Sequence, residues 1–237
     1  MKLLSTSTIS AAAAIVLTAL PAFAGPVRDF EDAFRTTYAS YRVSLFKTNA
    51  KDQQASNQAL SAFQQKWQAM MNDWKASPPP QYADDPEWSG TVSAVDALLA
   101  KAGSEVAEGQ MEEAHETLEG VRDLFWDLHK RNNIVTFSDR MNAYHLEMEH
   151  TLALDPAATE PVAMREMAAR LDYLASDVLA NPPADAAGNA EYETLSKDFS
   201  SSVAAFLEAT RSGDAAAIKT AYGALKPAYS KFFLKFG

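Results

Sequence analysis

Ser77–Trp88 reads SPPPQYADDPEW. Three consecutive prolines lack the backbone N–H that a helix needs, and their rings clash with the preceding turn. The apolar stripe that leads in, Leu60, Phe63, Trp67, Met70, Met71 and Trp74, must therefore stop here. Its three- and four-residue spacing marks one face of a helix. An offset of 104 residues carries Pro78-Pro79 onto Pro182-Pro183, Glu87-Trp88 onto Glu191-Tyr192 and Gly109 onto Gly213. Punctuation returning at a fixed offset is the mark of a repeat.

Working outward, every neighbouring segment carries the same helical spacing, and strand-like alternation is nearly absent. Upstream stands the stripe Phe30, Phe34, Tyr38, Tyr41 and Leu45. Downstream stand Val92, Val95, Leu99, Ala102 and Val106, then Gly109, then Met111, Ala114, Leu118, Val121, Phe125 and Leu128. The offset of 104 turns Ala114, Leu118, Val121, Phe125 and Leu128 into Ile218, Tyr222, Leu225, Tyr229 and Phe232. The first stripe matches better at 107, where Phe34, Tyr38, Tyr41 and Leu45 become Met141, His145, Met148 and Leu152. This predicts an all-α chain of two tandem up-down-up-down four-helix bundles, residues 25–133 and 134–237. The short connection at Gly109 makes helices three and four antiparallel neighbours, and the longer Pro-rich connection sets helices two and three farther apart. Arg131 to Ser138 contains neither proline nor glycine, and reads equally as a turn or as part of one long helix.

Residues 1–24, MKLLSTSTISAAAAIVLTALPAFA, combine Lys2, a short apolar run and a small-x-small ending at Ala24. That is the pattern of a secretory signal peptide, cleaved after Ala24, and the run is too short for a stable membrane span. The expectation is an exported, periplasmic protein with no membrane span. The chain has no cysteine, which excludes disulfides, thiolate metal sites and covalent haem attachment. Its formal charge is −10, and becomes −11 once the single lysine of residues 1–24 is gone. Such a surface repels a phosphate backbone, so nucleic acid is not an expected partner, whereas a protein with a basic surface is.

Order and punctuation together resemble the cytochrome b562 family. The first repeat gives SPPPQYADDPEW, then TVSAVDALLAKAGSEVAEG, then QMEEAHETLEGVRDLFWDLHKR, and the resemblance spans both b562-like repeats. It implies a periplasmic electron-transfer protein binding haem b non-covalently, between a methionine on helix one and a histidine near the end of helix four. The histidine matches His129, twenty residues beyond Gly109, and the methionine matches Met141, 23 residues before Met164. The two belong to different repeats: Phe34 stands at the methionine position of the first, and Phe233 at the histidine position of the second. Three readings follow. Both sites are lost and the bundles are haem-free. Alternatively, His129 and Met141 meet across the junction. In the third, Tyr38, Met70 or Met71 replaces the missing ligand. The composite site requires a turn, because twelve residues on one helix span ~18 Å.

Met141, His145 and Met148 fall at i, i+4 and i+7 and share one helix face. Thioether and imidazole together suit copper as well as haem iron, so His129, Met141, His145 and Met148 form the candidate metal set. Against this stands core packing, since methionine fills irregular gaps and the stripe matches Phe34, Tyr38 and Tyr41. Tyr144 is an alternative core residue, which would turn His145 outward. His129 also suits the C-terminal end of a helix dipole beside Lys130 and Arg131. His115 lies among Glu112, Glu113, Glu116 and Glu119 and reads as part of a solvated acidic face. The Trp67, Trp74, Phe63, Phe125 and Trp126 set reads as core more than as the wall of a flat cofactor. No nucleophile elbow, phosphate loop or HExxH pattern is present, so no enzyme chemistry is expected. The leading expectation is haem or metal binding for electron transfer with a basic redox partner. The others are a haem-free structural or partner-binding bundle and a copper-binding Met/His face.

Overall fold

The structure, a computed structural model, describes residues 25–237. The signal-peptide expectation therefore lies outside the described residues. Among these the chain is all-helical and contains no strand: α1 Pro26–Asn49, α2 Gln53–Trp74, α3 Trp88–Ala107, α4 Met111–Arg131, α5 Phe137–Leu152, α6 Pro161–Ala180, α7 Ala190–Ser212 and α8 Ala215–Phe236. No helix among the described residues is long and apolar enough to cross a membrane.

The helix ends follow local chemistry. Pro26 and Pro161 open α1 and α6 within the first turn, where a missing N–H costs nothing. Asp52, Asn189 and Asp214 cap α2, α7 and α8 with side-chain oxygens that accept from first-turn N–H groups. Gly109 and Gly213 adopt left-handed backbone at φ +80° and +72°, ending α3 and α7 where a side chain would be strained. After α2 the proline run forms a short 3-10 turn at Pro80–Tyr82 that folds Tyr82 inward until it is 1% exposed.

The predicted stripes are the core. Phe30, Tyr41, Leu60, Phe63, Val95, Leu118 and Val121 are all at most 2% exposed. α1 packs on α2 and α4, and α3 packs on α4 and more lightly on α2. In the same way α6 lies against α5 and α7, and α8 lies against α7 and α5. α1 also touches α8, and buried apolar residues from all eight helices join one continuous cluster. The α1–α8 contact is fixed by Arg42, 6% exposed. Its guanidinium donates to the carbonyls of Leu234 and Lys235 in the last turn of α8 and to the oxygen of the capping Gly237 just beyond it. Those carbonyls lack intrahelical partners, and a cation there also complements the helix dipole.

Candidate functional site

The segment that reads either as a turn or as a helix is a turn. α4 ends at Arg131, Asn133 takes left-handed backbone at φ +55°, and the Ile134 N–H returns to the His129 carbonyl at 2.9 Å. Asparagine does here what glycine does elsewhere. Thr136 then starts α5 with a capping box: its hydroxyl accepts from the Asp139 N–H, and the Asp139 carboxylate accepts from the Thr136 N–H. The same carboxylate lies 2.9 Å from His129 Nδ1. A carboxylate can only accept, so the His129 proton sits on Nδ1. The imidazole is 2% exposed, wedged between the edge-on ring of Phe34 at 5.6 Å and the parallel ring of Tyr82 at 6.3 Å.

Met141 is fully buried, but stands two residues after Asp139, about 200° around the helix. Asp139 faces His129 on α4. Tyr144, one turn beyond Met141, packs instead on Phe199 of α7 and Tyr229 of α8. The turn therefore brings α4 and α5 together without turning His129 and Met141 to a common centre. Phe34, Tyr82 and Asp139 occupy the surroundings of the imidazole, and the adjoining internal cavity among Phe30, Phe34, Trp67, Phe125 and Leu128 holds about 10 Å³. A cofactor pocket needs on the order of 300 Å³ or more. These side chains do not fit a haem between His129 and Met141.

The Met/His face divides as well. Met148 is fully buried beside Tyr144, while His145 lines a groove and has both nitrogens engaged. Nδ1 receives Arg122 Nη1 at 3.1 Å, and Nε2 lies 3.5 Å from Glu149. Arg122 can only donate, so the ring proton is on Nε2. The arrangement does not fit a copper centre at these residues, and among the described residues no group of three His, Cys, Asp or Glu side chains is placed to hold a metal ion.

The groove that His145 lines is polar. It lies where α1, α4, α5 and α8 meet, with a volume of about 550 Å³. Its lining carries Arg42, Lys51, Arg122 and Lys226 against Glu112, Glu116, Glu119 and Glu149, four cations facing four carboxylates. Arg122, 6% exposed, reaches Glu119 at 3.4 Å, and Lys226 reaches Glu149 at 2.9 Å. The bond from His145 and the ion pair with Lys226 overcome burial and hold the Glu149 carboxyl down at about 2. His145 stacks on Tyr229 at 5.3 Å. Phe46 and Leu146, 41% and 49% exposed, form an apolar rim.

His115 is not on a solvated acidic face. Its Nδ1 lies 3.2 Å from both the Leu45 carbonyl and the Thr48 hydroxyl. The Thr48 proton points to the carbonyls of Ser44 and Leu45, so both oxygens accept and Nδ1 carries the ring proton. Burial lowers the His115 pKa, which leaves Nε2 as a lone pair at neutral pH. That atom faces Glu119 Oε1 at 3.8 Å. The helical phase of His115 on the Met111, Ala114 and Leu118 stripe was a signal toward this position, and the run of glutamates around it obscured that signal. Arg122 and Arg42 carried no sequence signal, because charged residues at helical spacing ordinarily face water. Comparison with protein-family models, with curated proteins and with solved structures finds no match.

Proposed function

We propose that this chain is a periplasmic pair of b562-like four-helix bundles, residues 25–133 and 134–237, that binds its ligand in the groove between the bundles and carries no haem. The ring of contacts through α1–α4 and the matching ring through α5–α8 support the paired architecture. One observation carries the functional reading: Phe34, at the position where the family places its axial methionine, packs its ring against His129. The groove, by contrast, offers space together with buried hydrogen-bonding side chains, the combination that small-molecule sites share.

A haem titration followed at the Soret band tests the reading. The expected outcome is no saturable change. A saturable Soret band that His129→Ala abolishes would overturn it and restore haem b binding, with electron transfer to a basic redox partner. Copper uptake lost in a Met141→Ala, Met148→Ala double variant would instead favour the copper-binding face.

A further inference from the structure

We infer that the groove takes a zwitterionic small molecule with a large apolar body, of the class of α-amino acids with aromatic or branched side chains. The inference rests on the groove being the binding site. Three features of its walls specify the ligand. His115 Nε2 and Glu119 Oε1 are both acceptors, 3.8 Å apart, and no hydrogen bond reaches Nε2 among the described residues. Arg122 Nη1 lies 3.4 Å from the same Glu119 oxygen, but His115 Nε2 has no donor among the described residues, and a primary ammonium group has hydrogens for both atoms at once. Arg122, on the same helix, and Lys226, on α8, line the same groove. Arg122 engages Glu119, His145 and Asp123, and Lys226 engages Glu149; five guanidinium and three ammonium hydrogens still leave N–H donors for a carboxylate. With the cations and carboxylates of the lining equal in number, a ligand of net charge finds no net complement, whereas one bearing both charges meets both.

The apolar body has a place as well. Phe46 on α1 and Leu146 on α5 stand exposed at the mouth. Covering them removes apolar surface from water, the main favourable term for a small ligand. The volume of the groove accommodates an amino acid of this size with room for water.

Isothermal titration of the mature chain with L-phenylalanine, 2-phenylethylamine, 3-phenylpropionate and glycine tests the inference. Saturable binding of phenylalanine is expected. Each of the other three, lacking one of the recognised groups, should bind at least about tenfold more weakly. His115→Ala and Glu119→Gln should each weaken phenylalanine about tenfold, with helicity unchanged by circular dichroism because both side chains are partly exposed. Phe46→Ser, an exposed position, should weaken it without altering the preference for the zwitterion. No saturable binding of phenylalanine would overturn the inference. So would equal affinity for 3-phenylpropionate or 2-phenylethylamine. If such a singly charged analogue binds and His115→Ala abolishes that binding, the zwitterion is wrong while the groove remains the site. Haem uptake through His129 with none of the four compounds bound removes both.

Discussion

The loop end of α1–α4 and the equivalent end of α5–α8 start from the same punctuation and are closed by different physics. In the first, Asp85 is buried and receives Arg131 at 2.9 Å, Asn132 at 3.0 Å and the Glu87 N–H at 3.0 Å, while Arg131 also bonds Thr91. In the second, the residue 104 positions on is Asn189, which caps α7 through the N–H groups of Glu191 and Tyr192. The position equivalent to Arg131 is Lys235, in an exposed pair with Glu191. Aromatic packing of Tyr192 on Phe232 and Phe236 closes that end instead. Tyr82 fills the first loop, and the smaller Ala186 fills the second. A fold signature of prolines and glycines thus constrains the path of the chain, while the means of closing it remain free to differ. Of the two equivalent positions His129 and Phe233, the histidine stands at the ionic end, enclosed by Asp139, Phe34 and Tyr82.

The contrast can be broken most forcefully at the helix-one positions. Phe34→Ala should cost about 4 kcal/mol in urea unfolding, as expected for removing a buried phenyl ring, and the equivalent Met141→Ala about 3 kcal/mol. Equal and small effects would show that neither position is closely packed. Next in size are the loop ends. Asp85→Ala should cost about 2 kcal/mol, below the figure for a fully buried pair because Arg131 keeps 29% exposure. Asn189→Ala, the loss of a cap, should cost about 1 kcal/mol. If the order reverses, the ionic closure of the first end contributes less than the cap of the second.

Acid sharpens the same comparison. Burial alone would raise the Asp85 pKa, but the bonds from Arg131, Asn132 and the Glu87 N–H outweigh it and the net shift is downward. Its contribution is therefore complete above the ordinary carboxylate value and is lost as the pH falls through the lower folded value. Glu149 behaves likewise, losing its contribution between pH 4.5 and about 2. Urea titrations at pH 7 and pH 3 should show the gap between the wild type and Asp85→Asn narrowing at the lower pH, and the same for Glu149→Gln. A gap that is constant or widens on acidification would contradict the assigned direction. The smallest effect belongs to Lys235→Ala. The pair with Glu191 is half exposed on both sides, and its loss should change stability by about 0.5 kcal/mol or less.

Helix existence and the core faces were legible because they depend on nearest neighbours along one helix. Phe34, Tyr38, Tyr41 and Leu45 repeat at helical spacing, and all four are buried. The α4–α5 turn was legible in principle too. Thr136 and Asp139 form a capping box at its characteristic spacing, but the missing glycine concealed the break until Asn133 proved to be left-handed. Tyr144 versus His145 was a matter of helical phase, and the fully buried residue is Tyr144.

What the chain by itself determined, then, is where helices begin, end and turn apolar, since those properties follow from local backbone chemistry and period. Which side chains meet was decided only in three dimensions. His129 joined Asp139 in place of Met141, and Arg42, His115, Arg122 and His145 came from helices as far apart as α1 and α5 to line one groove. The reason is physical: a charged side chain at helical spacing reads as solvated until another helix covers it, and the covering helix is set by packing across the whole molecule, which no local window contains.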